Sequence, residues 1–167
     1  MPKRTLWTEH PSYPHYEVAD IGAVRNTKTR REMYPQPTHG GVLSLQVVDK
    51  NGVRKTRQLK RLVLEVYPKM AWCSLTNPVI AHYDGDVENC RQNNLYWSTR
   101  TNQWSLKDPH VAEGLYLPMK LINRATGYPK KFETVFDAAR WKDICPVQTL
   151  RFGWGRDVYG GYEYGFL

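Results

Sequence analysis

Residues 78 to 105 place two short strands, a polar loop and a helix in immediate succession, and that order constrains the fold more than any other stretch. P-V-I-A-H-Y reads as a strand and D-G-D-V-E-N-C-R-Q-N as a loop. N-L-Y-W-S-T is a second strand and T-R-T-N-Q-W-S-L-K a helix. The loop is bounded by His82 and Asn94 and carries Asp84 and Asn89. A histidine at a strand end can accept a proton from the water that attacks a phosphodiester. It then needs a partner to orient it and a divalent cation to neutralise charge on the phosphate. Hard oxygen donors from Asp or Asn suit Mg²⁺, which keeps several waters and takes few protein ligands. A lone His near an Asp is more often structural, so the weight lies on the composite string His82, Asp84, Gly85, Asn89, Asn94, Leu95, Trp97 and Thr99.

The segment before it, residues 1 to 67, has strand character. Tyr16, Val18 and Ile21 alternate with polar residues, a turn falls near Gly22, and the pattern resumes at Val24. A turn-rich loop holds Pro35, Pro37, Gly40 and Gly41. Residues 42 to 59 read as a hairpin in which Asn51-Gly52 supplies the two positions of positive φ. Residues 59 to 67 change to helical spacing, with Leu59, Leu62, Val63 and Val66 on one face. Basic residues concentrate here: Arg25, Lys28, Arg30 and Arg31 in one loop, and Arg54, Lys55 and Arg57 along the hairpin. Interleaved with Tyr and Trp, they suit contact with a phosphate backbone better than a merely solvated face.

Residues 106 to 118 carry Pro109, Gly114 and Pro118 and read as a linker. In residues 119 to 167 an apolar run turns at Thr126-Gly127. A helix follows over 132 to 144, with Thr134 as N-cap opposite Asp137, and Val135, Ala138, Ala139 and Trp141 on its buried face. A second helix starts near Pro146 and carries Gln148, Thr149 and Arg151. Two short helices at a tight turn fit a helix-turn-helix, with those three residues as candidate base readers. The Gly/Tyr-rich tail closes as a hairpin.

A net charge of +8 and a pI near 9.4 favour a polyanionic partner, because each neutralised phosphate releases condensed counterions. Cys73, Cys90 and Cys145 form no C-x-x-C, which argues against a disulfide framework or a zinc ribbon and for reduced thiols in a cytoplasmic protein. No apolar signal core opens the chain and no run reaches membrane-spanning length.

The central string resembles that of the HNH endonucleases, specifically the small phage-type and intron-encoded homing endonucleases, whose pattern is close to H-x-D-G-N-x-x-N-N-x-x-x-N-L-x-W-x-T. The likeness extends to both sides. W-x(8)-Y-E-V-x-D-I-G-x-V-R from Trp7 to Arg25 resembles their N-terminal modular element, and K-R-L-V resembles their H-R-L-V with Lys60 in place of His. F-x-T-V-x-D-A-A-R onward resembles their C-terminal module. The resemblance implies an α+β chain of small modules in extended array: an N-terminal β-rich DNA-binding element (1 to 67), a ββα-metal core (68 to 105), the linker, and a helix-turn-helix module (119 to 167). It implies His82 as general base, Asn94 as the residue that aligns it, Asp84 and Asn89 as organisers of the loop, duplex DNA as partner, and a phage protein acting as a monomer in a bacterial host.

Two departures bear on the chemistry. Ala81 stands where the family commonly places an Asp, His or Asn that supports the metal, and Gln103 stands where an Asn ligand is usual, with Asn102 one place early. Gln103 and Asn102 are therefore the expected holders of Mg²⁺ or Mn²⁺. The expectation is a metal-dependent endonuclease that nicks or cleaves duplex DNA. The alternatives are a catalytically degenerate scaffold acting as a DNA-binding regulator or blocker, or an adaptor for protein or RNA.

Overall fold

The computed structural model describes residues 5 to 38, 40 to 68 and 78 to 167. Residues 1 to 4, His39 and the stretch 69 to 77 lie outside the described residues, and with them the expectation for Cys73. The chain divides into two compact units, one comprising residues up to Lys69 plus Ile80–Leu95, the other ending in Tyr96–Leu167. This division falls inside the stretch 68 to 105 rather than at its ends.

In the first unit, β1 (Trp7–His10), β2 (Tyr13–Ala19), β3 (Val24–Asn26) and β4 (Glu32–Met33) form an antiparallel sheet in sequence order. Tyr16 and Val18 are buried, as the alternation predicts, but Ile21 is 47% exposed. The pattern stops at Ala19 because Asp20–Gly22 is the turn itself, closed by Gly22 N–H donating to Ala19 O at 3.0 Å. A second sheet holds β5 (Gln36–Pro37), β6 (Leu43–Val48) and β7 (Arg54–Gln58) in that order. The hairpin between β6 and β7 is present, but only Gly52 of the Asn51-Gly52 pair takes positive φ, 79°. Asp49 is the cause. Its Oδ1 accepts from Asn51 N–H (2.9 Å) and Val53 N–H (3.0 Å), imposing a wider turn built on the side chain. Next, α1 (Leu59–Val66) buries Leu59, Leu62, Val63 and Leu64. Leu64 joins the expected face because both sheets contact this helix.

β8 (Pro78–His82) and β9 (Leu95–Thr99) form a two-stranded sheet joined by the loop of the candidate site. Strand β9 runs directly into α2 (Arg100–Ser105), whose N-cap Thr99 accepts from Asn102 N–H at 3.1 Å. The local order is therefore strand, loop, strand, helix.

The second unit continues with α3 (Pro109–Gly114), which occupies much of the stretch expected to be a linker. Asp108 caps it by accepting from His110 N–H, and Pro109 sits in its first turn, where it removes no helical hydrogen bond. Gly114 packs against Leu150 so closely that a Cβ there would lie 3.0 Å from its Cδ1. Then follow β10 (Met119–Asn123), β11 (Pro129–Phe132), α4 (Val135–Lys142), α5 (Pro146–Gly155), β12 (Val158–Tyr159) and β13 (Tyr162–Phe166). The strands make an antiparallel sheet in the order β11-β10-β13-β12. Met119, Leu121, Val135, Ala138, Ile144, Leu150 and Tyr164 build the core between sheet and helices. Thr134 caps α4 through Asp137 N–H at 3.1 Å, and Asp143 ends it in the left-handed conformation. Trp141 is 42% exposed instead of buried. It leans on Phe132 and Tyr162 at the rim, beneath Lys130. The fold is α+β with several small sheets, and no helix among the described residues is long and apolar enough to cross a membrane.

Candidate active site

The site grows out of the end of β8. Tyr83 N–H donates to Asn94 O at 2.9 Å, which closes the hairpin and leaves residues 84 to 93 as its loop. Asn94, 5% exposed, works in both directions across that loop. Its Oδ1 accepts from Asp84 N–H (3.2 Å), while its Nδ2 donates to Asp84 Oδ1 (2.8 Å) and to Asn89 O (2.9 Å). The second oxygen of Asp84 accepts from Asn89 Nδ2 at 2.6 Å. Asp84, Asn89 and Asn94 thus form a closed polar knot. Burial works to raise the Asp84 pKa, but the hydrogen bonds from Asn94, Asn89 and Asp86 N–H together hold it below the ordinary carboxylate value.

The loop is also pinned from outside. Gln92 N–H donates to Asp20 O at 2.8 Å, and Gly22 faces Cys90 so closely that a Cβ would lie 2.8 Å from the Cys90 carbonyl oxygen. Gly22 has φ 87°, so both its conformation and its packing call for the absence of a side chain. Burial pushes the Cys90 thiol up to about 11, which makes it an inert packing group rather than a nucleophile.

His82 sits where β8 meets this braced loop. Its Nε2 is buried and has no hydrogen-bond partner among the described residues. Burial, then the charge of Lys60, lowers its pKa, with Asp84 and Asp86 pulling weakly the other way. The imidazole is therefore neutral at physiological pH, the state a general base requires. Lys60, on α1, donates from Nζ to Ile80 O at 3.0 Å. No spacing in the sequence connects it with His82.

The expected metal holders are engaged elsewhere. Asn102 is 6% exposed, with Nδ2 3.6 Å from Cys145 Sγ and Oδ1 accepting from Arg151 at 3.5 Å. Gln103 donates from Nε2 to Ser98 Oγ at 3.1 Å and also bonds Tyr96. Ala81 offers a methyl group, 7% exposed. Among the described residues no group of three or more His, Cys, Asp or Glu side chains could hold a metal ion. The amides of Asn102 and Gln103, the expected metal holders, are bound into the packing around Ser98, Tyr96 and Cys145.

The basic residues fall into two groups. Arg25 pairs with Glu17 at 2.6 Å and stacks over Trp7 at 4.0 Å, Arg30 pairs with the same Glu17, Lys55 with Asp49 at 2.7 Å, and Arg57 Nε donates to Tyr13 OH at 2.5 Å. Lys28, Arg31 and Arg54 are exposed and form no ion pair among the described residues. On α5, Arg151 is exposed and Gln148 half-buried. Thr149 is fully buried and its hydroxyl bonds back to Cys145 O at 3.2 Å. The polar group of Thr149 is thus spent on its own helix.

No protein-family model matches the chain, and no curated protein matches it. Among solved structures it is similar to one described as "DNA binding and cleavage by the HNH homing endonuclease I-HmuI", at 23% identity over 97% of this chain and 98% of that one, with a TM-score of 0.48.

Proposed function

We propose that this chain is a duplex-DNA-binding protein of the HNH endonuclease type, with His82 as the base that takes a proton from the attacking water. One observation carries the reading: a neutral imidazole, unpartnered among the described residues, stands at a strand end against a loop that Asn94 ties from both sides. The charge of +8 and the exposed Lys28, Arg31 and Arg54 support a polyphosphate partner. Arg151 and Gln148 are the groups on α5 with access to base edges.

A second reading has its own support. Ala81 supplies no ligand, and Asn102 and Gln103 are engaged in the fold, which favours a scaffold kept for DNA binding alone. The deciding experiment is nicking of a supercoiled plasmid carrying DNA from around the protein's own gene, in Mg²⁺, Mn²⁺ and EDTA. Relaxation by the wild type that falls about 100-fold or more in His82→Ala is the expected result for an enzyme. A retained gel shift without relaxation in any condition establishes the binding role instead.

Replacing Lys28, Arg31 and Arg54 together by Ala should weaken binding to all duplexes alike. The slope of log K against log salt should become shallower by about one unit for each phosphate that the variant no longer neutralises. An unchanged slope would place the DNA elsewhere on the protein.

A further inference from the structure

Lys60 is half-buried on α1, and its ammonium makes one hydrogen bond among the described residues, to Ile80 O, two positions before His82. An ammonium carries three donors, so two have no protein partner among the described residues. No carboxylate pairs with it among the described residues. Cys90, the other titratable group beside it, is a neutral thiol, while Asp84 is tied to Asn94 and Asn89. A cation taken from water and left without an anion is costly, and such a group persists where an anion arrives to meet it. Ala81, on the same strand, offers a methyl group and no oxygen or nitrogen donor to a cation beside His82. The chain therefore has a methyl group where a metal-supporting side chain could stand, and a fixed positive charge next to the same imidazole.

We infer that Lys60 is the cation that receives a non-bridging oxygen of the DNA phosphodiester beside His82, so that this site engages a phosphodiester without a divalent metal ion. The inference rests on the DNA-binding reading above and specifies how its site meets the phosphate. Lysine acts here as a point charge on a stem that α1 holds in place, and its charge adds to burial in lowering the pKa of His82.

The test uses the whole protein with labelled histidine imidazoles, followed by NMR. The probe is thymidylyl-thymidine, a dinucleotide with one phosphodiester, added in EDTA. Saturable movement of the His82 signals is expected in the wild type and in Lys60→Arg, with Kd at least tenfold higher in Lys60→Met. In the free proteins the same signals should report a His82 pKa that rises in Lys60→Met and stays low in Lys60→Arg, while Asp84, Asp86 and Cys90 are unchanged around it. A lysine that only anchors the Ile80 carbonyl would leave that pKa unmoved. If Lys60→Met does not fold, Lys60→Gln keeps a donor for Ile80 O without the charge and takes its place. His82 signals that move only after Mg²⁺ is added, or equally in the neutral variant, overturn the inference. Plasmid nicking in Mg²⁺ alongside that result would leave the endonuclease reading intact. Absence of nicking in every condition would remove the enzyme and leave the EDTA-resistant phosphate contact standing.

Discussion

Asn94→Ala should destabilise the first unit by about 3 kcal/mol and abolish any nicking while DNA binding persists. Three hydrogen bonds converge on this amide, two of them to Asp84, and it is 5% exposed. Each such bond contributes about 1 kcal/mol net, so the loss of all three comes to about 3 kcal/mol. The denaturant midpoint should fall at unchanged m-value. Asn94→Asp should be as damaging, because it sets a second carboxylate against Asp84. A midpoint within about 0.5 kcal/mol of wild type, the range of an ordinary surface substitution, would mean that the knot does not hold the loop.

Gly22→Ala should be comparably severe although it lies far from His82 in sequence. A left-handed backbone costs an alanine about 1 to 2 kcal/mol, and overpacking costs about 1 to 3 kcal/mol more. The obstruction is the Cys90 carbonyl, 2.8 Å from the new Cβ, and backbone yields less readily than the tip of a side chain. Moving it also strains the bond from Gln92 N–H to Asp20 O. A fall in Tm of roughly 10 °C is expected. Gly52→Ala provides the contrast: φ is positive there too, at 79°, but no atom lies within 4 Å of the added Cβ, so only the conformational cost of about 1 kcal/mol applies. Equal effects in the two variants would show that the closeness of Cys90 is immaterial.

What the sequence discloses is what it settles over short range. The knot of Asp84, Asn89 and Asn94 spans ten residues, so its spacing is visible in the string itself. Thr134 with Asp137, and Pro146 opening α5, are equally local. The packing of Asn102 escapes such reasoning because its partner Cys145 is 43 residues away. Lys60 beside His82, and Gly22 beneath Cys90, are likewise products of folding. Local signals can also compete with one another. Asp49 overrides the Asn51-Gly52 turn because its carboxylate accepts two backbone N–H groups. Asp108-Pro109 reads as a break, yet it is also a cap followed by a first-turn proline, and a helix forms.

The docking of the loop onto the turn at Asp20–Gly22 limits how such a motif can be inherited or engineered. The loop's shape is held partly by a carbonyl and a missing side chain contributed by another sheet. A graft of residues 78 to 105 into a foreign scaffold would carry His82 and the polar knot and leave both their footing and Lys60 behind. Recombination that exchanged the N-terminal sheet would have to supply an equivalent turn, or forfeit the geometry at His82.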